Sequence, residues 1–443
     1  MSFYSVDIAY KSDAFHYFAS LSNMPWAVWL DSGGLGGYDI MTAMPQRTLV
    51  LDNESAREDP FALIRDELGD LVERVDNVPF AGGALGYWGY DLARQMKMLP
   101  DRAGVAEAIP VMMIGIYDWA LVLDHERQTA RLVSHQRYSE TAALLEKILL
   151  RLEDHAEHQM DTFQVHGNIQ SNYTYQQYSE AFLQVQAYLK AGDCYQINLA
   201  QRFSVSASGD ALESYLNLRK LSPAPYSAYL KFPNLNVMCA SPERFLRVSK
   251  GLVETRPIKG TRPRSEDATQ DQLLADELRQ HTKDRAENLM IVDLLRNDLG
   301  KSCVPGSVRV PELFKLESYA NVHHLVSTVE GKLAEDHDAL NVLQDCFPGG
   351  SVTGAPKHRA MQIIEQLEPD QRGIYCGSIG YVGFDGDMDS NIVIRTLIFS
   401  GNEVHYSAGG GIVVDSNVES EYQETLDKAS AMFELLKRHG AAS

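Results

Sequence analysis

The sequence predicts an α+β fold with antiparallel strand pairing, and three observations predict it. Strand-like segments follow one another from Cys194 to Lys259 and again over 377–403, without the regular crossover helix that parallel neighbours require. Helix-like segments with one apolar stripe punctuate these runs. The 443 residues are 44% hydrophobic and 23% charged, the balance of a globular protein able to bury a sizeable core. That length allows two domains or one large domain with two lobes.

In chain order, residues 1–155 read as a mixed α and β region. Residues 12–21 suit a helix and 26–31 a strand, followed by a glycine-rich turn. The stretch 80–90 is apolar with glycines inserted, which suits a buried strand running close to another backbone. Residues 114–123 and 130–134 read as a hairpin, and 141–153 as a helix whose broad apolar face carries Leu144, Leu145, Ile148, Leu149 and Leu152. Over 154–172 the pattern dissolves into polar residues and glycine, so a linker is expected there and a second region over 170–440.

That region opens with a helix carrying Tyr178, Phe182, Val185 and Leu189 at helical spacing and stopping at Gly192. Strands are expected at 194–203, 226–232, 237–240 and 245–248, and a single helix over 266–296 ended by Gly300. Strands return over 304–331 and 377–403, separated by a helix at 356–367 with proline in its first turn. The last helix is expected to start at a capping box of Ser416 and Glu419, to carry Leu426, Ala429, Phe433 and Leu436 as a stripe, and to stop at Gly440.

Charge and cysteine usage exclude several functions. With 40 basic and 60 acidic residues the net charge is −20, which repels nucleic acid and anionic membrane surfaces, so neither is an expected partner. Five scattered cysteines without a CxxC pair suggest no disulfide framework or zinc site and fit a reducing cytoplasm. Residues 1–15 lack a basic segment followed by an apolar one, and the longest apolar-rich run, 111–123, is broken by Asp118, so neither export nor a membrane span is expected.

Lys259 stands out because it lies in Arg256-Pro257-Ile258-Lys259-Gly260-Thr261-Arg262-Pro263. Each proline biases its predecessor towards extended backbone, so a strand is expected, with Pro257, Lys259 and Thr261 on one face and Arg256, Ile258 and Arg262 on the other. Such a lysine is aimed at something, or lies on a solvated edge strand. Asp284 and Glu287, three apart on one helix, and Glu421 and Glu424 on another, offer hard oxygen donors suited to Mg²⁺; solvated helix turns explain them equally. Glu243, between two strands, is a general acid if burial raises its pKa, or a turn glutamate.

The run 349–357 has glycines at phosphate-loop spacing, but Ala355 and Pro356 stand where Lys and Ser or Thr are required, which disfavours nucleotide hydrolysis. A glycine turn opening a helix remains, capped by Ser351 or Thr353 or receiving a carboxylate. Gly409, Gly410 and Gly411, placed between a strand and the last helix, leave backbone amides accessible to a ligand or form a plain loop. Arg395, inside an apolar strand over 391–399, needs a buried acid or an anionic ligand. His323 and His324 point to opposite strand faces, one structural and one lining a cleft.

As an ordered set these motifs resemble the chorismate-utilising enzymes. The resemblance runs through Gly192-Asp193-Cys194-Tyr195-Gln196-Ile197-Asn198-Leu199, Ser241-Pro242-Glu243-Arg244-Phe245, the Lys259 segment, the helix around Glu287, His323-His324-Leu325, 348–357, 409–413 and 421–428, covering 173–436. It implies two antiparallel β-sheets packed face to face with helices outside, a four-layer α/β/β/α, two-lobed arrangement. Isochorismate- and salicylate-forming members carry a lysine base where this chain has Gln196. Anthranilate-forming members have alanine at the position of Lys259. Lysine there implies amination of chorismate at C4, giving 4-amino-4-deoxychorismate in the p-aminobenzoate and folate branch, with ammonia from a glutamine amidotransferase subunit.

By the same resemblance Lys259 is the nucleophile, Glu243 the general acid and His324 a neighbour of the leaving hydroxyl. Mg²⁺ is bound by Glu287 and Glu424 with Glu421 and Asp284 nearby, and Gly260, Thr261, Tyr375, Arg395, Gly409, Gly410, Gly411 and Lys428 contact substrate. Ser32 and Pro225-Tyr226-Ser227 match a pocket that holds tryptophan in relatives, as inhibitor or structural ligand. An anthranilate-forming enzyme, or a non-catalytic subunit binding chorismate or tryptophan, stays open as an alternative.

Overall fold

Strands pair antiparallel throughout two sheets that face one another, as the computed structural model shows for residues 3–52, 59–96, 98–99, 104–105, 108–153, 160–319 and 322–440. The larger sheet runs in space through Tyr4–Ile8, Thr129–Ser134, Ala120–Asp124, Tyr38–Thr42, Ala27–Asp31, Tyr226–Phe232, Leu235–Ser241, Thr396–Ser400, Glu403–Ile412, Gln196–Ser208 and Gly354–Ala355, with Gln164–Ser171 also on Gln196–Ser208. The second runs through Ile258–Pro263, Val322–Lys332, Leu252–Thr255, Arg244–Ser249, Met388–Asn391, Ser378–Gly383, Gly83–Trp88, Met112–Tyr117 and Arg47–Leu51, with Arg309–Ser318 against Val322–Lys332. Both sheets draw strands from early and late parts of the chain: Ala27–Asp31 pairs with Tyr226–Phe232, and Gly83–Trp88 with Ser378–Gly383.

Alternation along the strands sorts side chains into layers. Val28, Ala228, Leu230 and Val237 of one sheet meet Leu85, Tyr87 and Ile379 of the other in the central core. Phe18, Tyr215, Leu435 and other helical residues cover the outer face of the larger sheet. Phe61, Ile291, Leu295 and Leu343 from other helices cover the outer face of the second. The four layers expected from the resemblance are therefore present, each helix burying one stripe against a sheet. Gly86 lets the second sheet close: a Cβ there would lie 2.0 Å from the Met113 carbonyl oxygen, the close backbone approach read from the glycine spacing.

Several expected elements differ in detail. The stretch 114–123 is not one strand, because Met112–Tyr117 and Ala120–Asp124 belong to different sheets. The chain crosses between them at buried Asp118, whose carboxylate accepts from Tyr138 N (3.1 Å) and Thr141 Oγ1 (2.5 Å). The expected linker contains the strand Gln164–Ser171; its residues 154–159 lie outside the described residues. The single helix over 266–296 is two, Ala268–Gln280 and Thr282–Ser302, broken at extended His281, and Gly300 sits inside the second. The last helix, Val418–Arg438, is capped by Asn417, while Ser416 donates to Glu421 Oε1 at 2.5 Å instead. Pro356 holds the N-cap position of Lys357–Leu367, one residue before its first turn, and the first helix begins at Phe15 rather than 12.

One buried cation ties the pieces that will frame the site. Arg372 donates to Val352 O (3.0 Å) in the glycine-rich turn, to Asn198 O (2.9 Å) on the Gln196–Ser208 strand, and to both carboxylate oxygens of Glu368 (2.6 and 2.8 Å). Glu368 in turn accepts from Ala200 N at 2.9 Å. Arg372→Met leaves the Glu368 charge and two carbonyls unpaired inside the protein, so chemical denaturation is expected to show a loss of about 3–5 kcal/mol.

Candidate active site

The Ile258–Pro263 strand does not alternate strictly. Ile258 pairs with Val326 and Thr261 with His324, so one extra residue is inserted, and Gly260 takes φ +89° there. This β-bulge re-aims the segment so that Ile258, Lys259, Gly260, Thr261 and Arg262 all line one cavity, correcting the expectation that Ile258 and Arg262 face away. The arginines are still kept from the lysine: Arg256 pairs with Glu317, and Arg262 with Glu277 (3.0 Å) and Asp284 (3.4 Å).

The cavity has a volume of about 570 Å³ and opens where the two sheets and the helices Thr282–Ser302 and Val418–Arg438 meet. Of the residues singled out from sequence, it gathers Lys259, Glu243, His324, Gly260, Thr261, Tyr375, Arg395, Gly409, Gly411, Lys428, Glu287, Glu424 and Asp284. Gly410 and Glu421 stand just behind its wall: a Cβ on Gly410 would lie 3.0 Å from Glu421 Oε2 and 3.4 Å from Glu424 Oε1. The three glycines are not a loop but part of the strand Glu403–Ile412.

Lys259 Nζ donates to the Ser351 carbonyl at 3.2 Å, and the Ser351 hydroxyl donates to Glu243 Oε1 at 2.8 Å. One residue of the glycine-rich turn thus holds both groups, a role sequence reasoning missed when it read Ser351 as a helix cap. Burial pushes the Lys259 ammonium below its ordinary pKa; Lys428 adds to the shift while Glu287, Glu243 and Glu424 oppose it. Burial pushes the Glu243 carboxyl upward against the opposing pull of Lys259 and the Ser351 hydrogen bond. The neutral amine and the protonated acid are each favoured by loss of water.

His324 is pushed down to about 4 by burial and by Arg395 and His323, so it is neutral, and its Nδ1 lies 2.9 Å from Thr261 Oγ1. His323 faces the other way, 2.7 Å from Ser318 Oγ and 3.0 Å from Asp271 Oδ1, the structural member expected of the pair. Arg395 lies between two strands, at φ +51°, rather than inside one. Its guanidinium makes no ion pair within the described residues and lines the cavity with Glu243, which leaves it available to an anion. Lys428 Nζ is held by Glu424 (2.7 Å) and the Gly409 carbonyl (2.9 Å).

The carboxylates form an uneven set. Burial raises the pKa of Glu287 and of Glu421; burial acts likewise on Glu424, but there Lys428, Lys259 and Lys283 together outweigh it and the net shift is downward. Glu421 Oε2 is buried without a hydrogen-bond partner, and Lys283 Nζ lies 3.9 Å from both Glu287 Oε1 and Glu421 Oε1. Asp284 is engaged by Arg262 and by His281 at 3.0 Å. Among the described residues no three His, Cys, Asp or Glu side chains close a cage around an ion. Two or three hard carboxylates, one with an orphaned oxygen, beside an open cavity fit Mg²⁺, which keeps several waters and takes further oxygens from an anionic ligand.

A second cavity of about 250 Å³ brings together Ser32, Pro225, Tyr226 and Ser227. Ser32 Oγ is buried there without a partner, and Arg244, paired with Asp389 at 2.9 Å, stacks over Tyr226. The polar groups suit a small amphipathic ligand.

The lysine shift is measurable. Acylation of Lys259, followed by peptide mass spectrometry across pH, is expected to reach half-completion below the 10.5 of an ordinary lysine. Glu243→Gln removes an opposing charge and is expected to move that midpoint lower still.

Comparison with known proteins places these features. The family model described as chorismate binding enzyme matches residues 27–434. The chain is 44% identical to aminodeoxychorismate synthase component 1 of Escherichia coli (strain K12) over 98% of both chains. It is 38% identical to anthranilate synthase component 1 of Streptomyces coelicolor, over 93% of this chain and 83% of that protein. Anthranilate synthase component I from Streptococcus pneumoniae superposes with a TM-score of 0.80 at 31% identity, covering 89% of this chain and 92% of that one.

Proposed function

The chain belongs to the chorismate binding enzyme family, and on that premise we propose that it aminates chorismate at C4 to give 4-amino-4-deoxychorismate, a p-aminobenzoate and folate precursor. The observation that carries the reading is Lys259, a buried amine of lowered pKa held 3.2 Å from the Ser351 carbonyl in a cavity shared with Glu243. Similarity to aminodeoxychorismate synthase component 1 over 98% of the chain supports the same choice.

The reaction balances with these groups. The neutral Lys259 amine forms a bond to C2 of the ring; the C1=C2 and C5=C6 electron pairs shift to C1=C6 and C4=C5, and the C4–O bond breaks. Protonated Glu243 gives its proton to the departing hydroxyl, which leaves as water, with neutral His324 as a hydrogen-bond partner. Ammonia then bonds to C4, the electron pairs return, and the C2–N bond breaks to restore the Lys259 amine. The Glu243 carboxylate takes the proton shed at the new amine and is ready for another turnover.

Substrate is a dicarboxylate, and the cavity already carries several acids. Arg395 and Lys428, with the backbone at Gly260, Gly409, Gly410 and Gly411 and the side chains of Thr261 and Tyr375, would bind it. Glu287 and Glu424, with Glu421 and Asp284 nearby, would hold Mg²⁺, which supplies positive charge against the ring carboxylate. Ammonia would come from a glutamine amidotransferase subunit, in keeping with the "component 1" in the relatives' names. Tryptophan would occupy the Ser32 cavity. The five cysteines are buried free thiols, which fits the cytoplasm, and no helix of the described residues is long and apolar enough to cross a membrane.

Incubation with chorismate, ammonium and Mg²⁺ is expected to yield 4-amino-4-deoxychorismate without released pyruvate, and EDTA to stop it. Glu243→Gln is expected to lower kcat by about 10²–10⁴-fold. Fluorescent anthranilate with stoichiometric pyruvate would assign the chain to the other amination.

A further inference from the structure

Two amide side chains on the Gln196–Ser208 strand are lodged in space that only glycine leaves. A Cβ on Gly411 would lie 2.0 Å from Gln196 Nε2, and one on Gly409 would lie 2.6 Å from Asn198 Oδ1. Neither glycine has a positive φ, so clearance rather than backbone conformation requires them. Gln196 and Asn198 share one strand face by the two-residue repeat.

Asn198 reaches the cavity that holds Lys259. It is 6% exposed and its Oδ1 is sealed against Gly409 without a hydrogen-bond partner. That leaves the Nδ2 end towards the cavity, and no described residue accepts from it. The backbone is pinned on both sides: Asn198 N donates to Thr353 O at 2.8 Å and Asn198 O accepts from Arg372 Nη2 at 2.9 Å. Buried amides are almost always paired, so a rigidly mounted one with a free donor points to a missing oxygen.

Resting on the chorismate reading above, we infer that Asn198 is a substrate-contacting residue whose side-chain amide donates a hydrogen bond to an oxygen of the bound dicarboxylate. A neutral donor suits this wall. Glu287 and Glu424 already repel a dianion, and an amide adds attraction without another cation whose charge those acids would absorb. Gly409 then serves the substrate a second way, by making room for the Asn198 side chain that meets it.

The test is direct binding of chorismate to the full chain with Mg²⁺ and without ammonium, by calorimetry, alongside thermal unfolding. Asn198→Ala is expected to weaken binding roughly tenfold, as for one hydrogen bond to a charged group. Its unfolding temperature should not fall, because the amide has no protein partner to lose. Asn198→Asp, which places a carboxylate before the dianion, is expected to bind more weakly than Asn198→Ala. Wild-type affinity in both folded variants overturns the inference alone; failure of the wild-type protein to bind chorismate overturns it together with the functional reading. A fall in unfolding temperature with unchanged affinity assigns Asn198 to packing and likewise overturns it.

Discussion

An amine kept out of water beside carboxylates is the condition on which the site depends. Desolvation, helped by Lys428, drives Lys259 towards its neutral form, whereas Glu287, Glu243 and Glu424 each favour the ammonium. The outcome rests on how deeply the lysine is enclosed and on the countering cation Lys428. Desolvation raises Glu243 by the same physics that lowers Lys259, so one enclosure favours a protonated carboxyl and a neutral amine together. A wetter cavity would relax both towards their charged forms and leave an ordinary ion pair.

Holding that balance requires a frame that does not yield. Ser351 joins the two groups, Arg372 fastens the turn carrying Ser351 to the strand carrying Asn198, and Glu368 fastens Arg372 to the same strand. The opposite wall comes from the second sheet, where a bulge at Gly260 swings Lys259 inward. Side chains lining the cavity thus converge from two sheets and two helices, which is why strands distant in sequence must pair before the site exists.

Part of this was legible in the sequence. Paired prolines marked Lys259 as extended, glycine spacing at 80–90 marked a close strand contact, and the three-residue spacings of Asp284 with Glu287 and Glu421 with Glu424 set acids on common helix faces. What escaped depends on partners across the fold. The bulge arises from register with Val322–Lys332, and the glycines at 409–411 read equally as a ligand-facing backbone or a plain loop because the amides that need their space sit on a strand about two hundred residues earlier. Asp118, which seemed only to interrupt an apolar run, is where the chain changes sheets. The break at His281 was hidden because the residues on either side are all acceptable in a helix.

The central claim is that Lys259 bonds to the substrate ring. Mass spectrometry of the intact protein and its peptides, after mixing with chorismate and Mg²⁺ without ammonium, measures this directly. The account predicts a species heavier by chorismate less one water, located on Lys259 and discharged by added ammonium. Steady production of 4-amino-4-deoxychorismate with no adduct on Lys259 at any time in the reaction would contradict it.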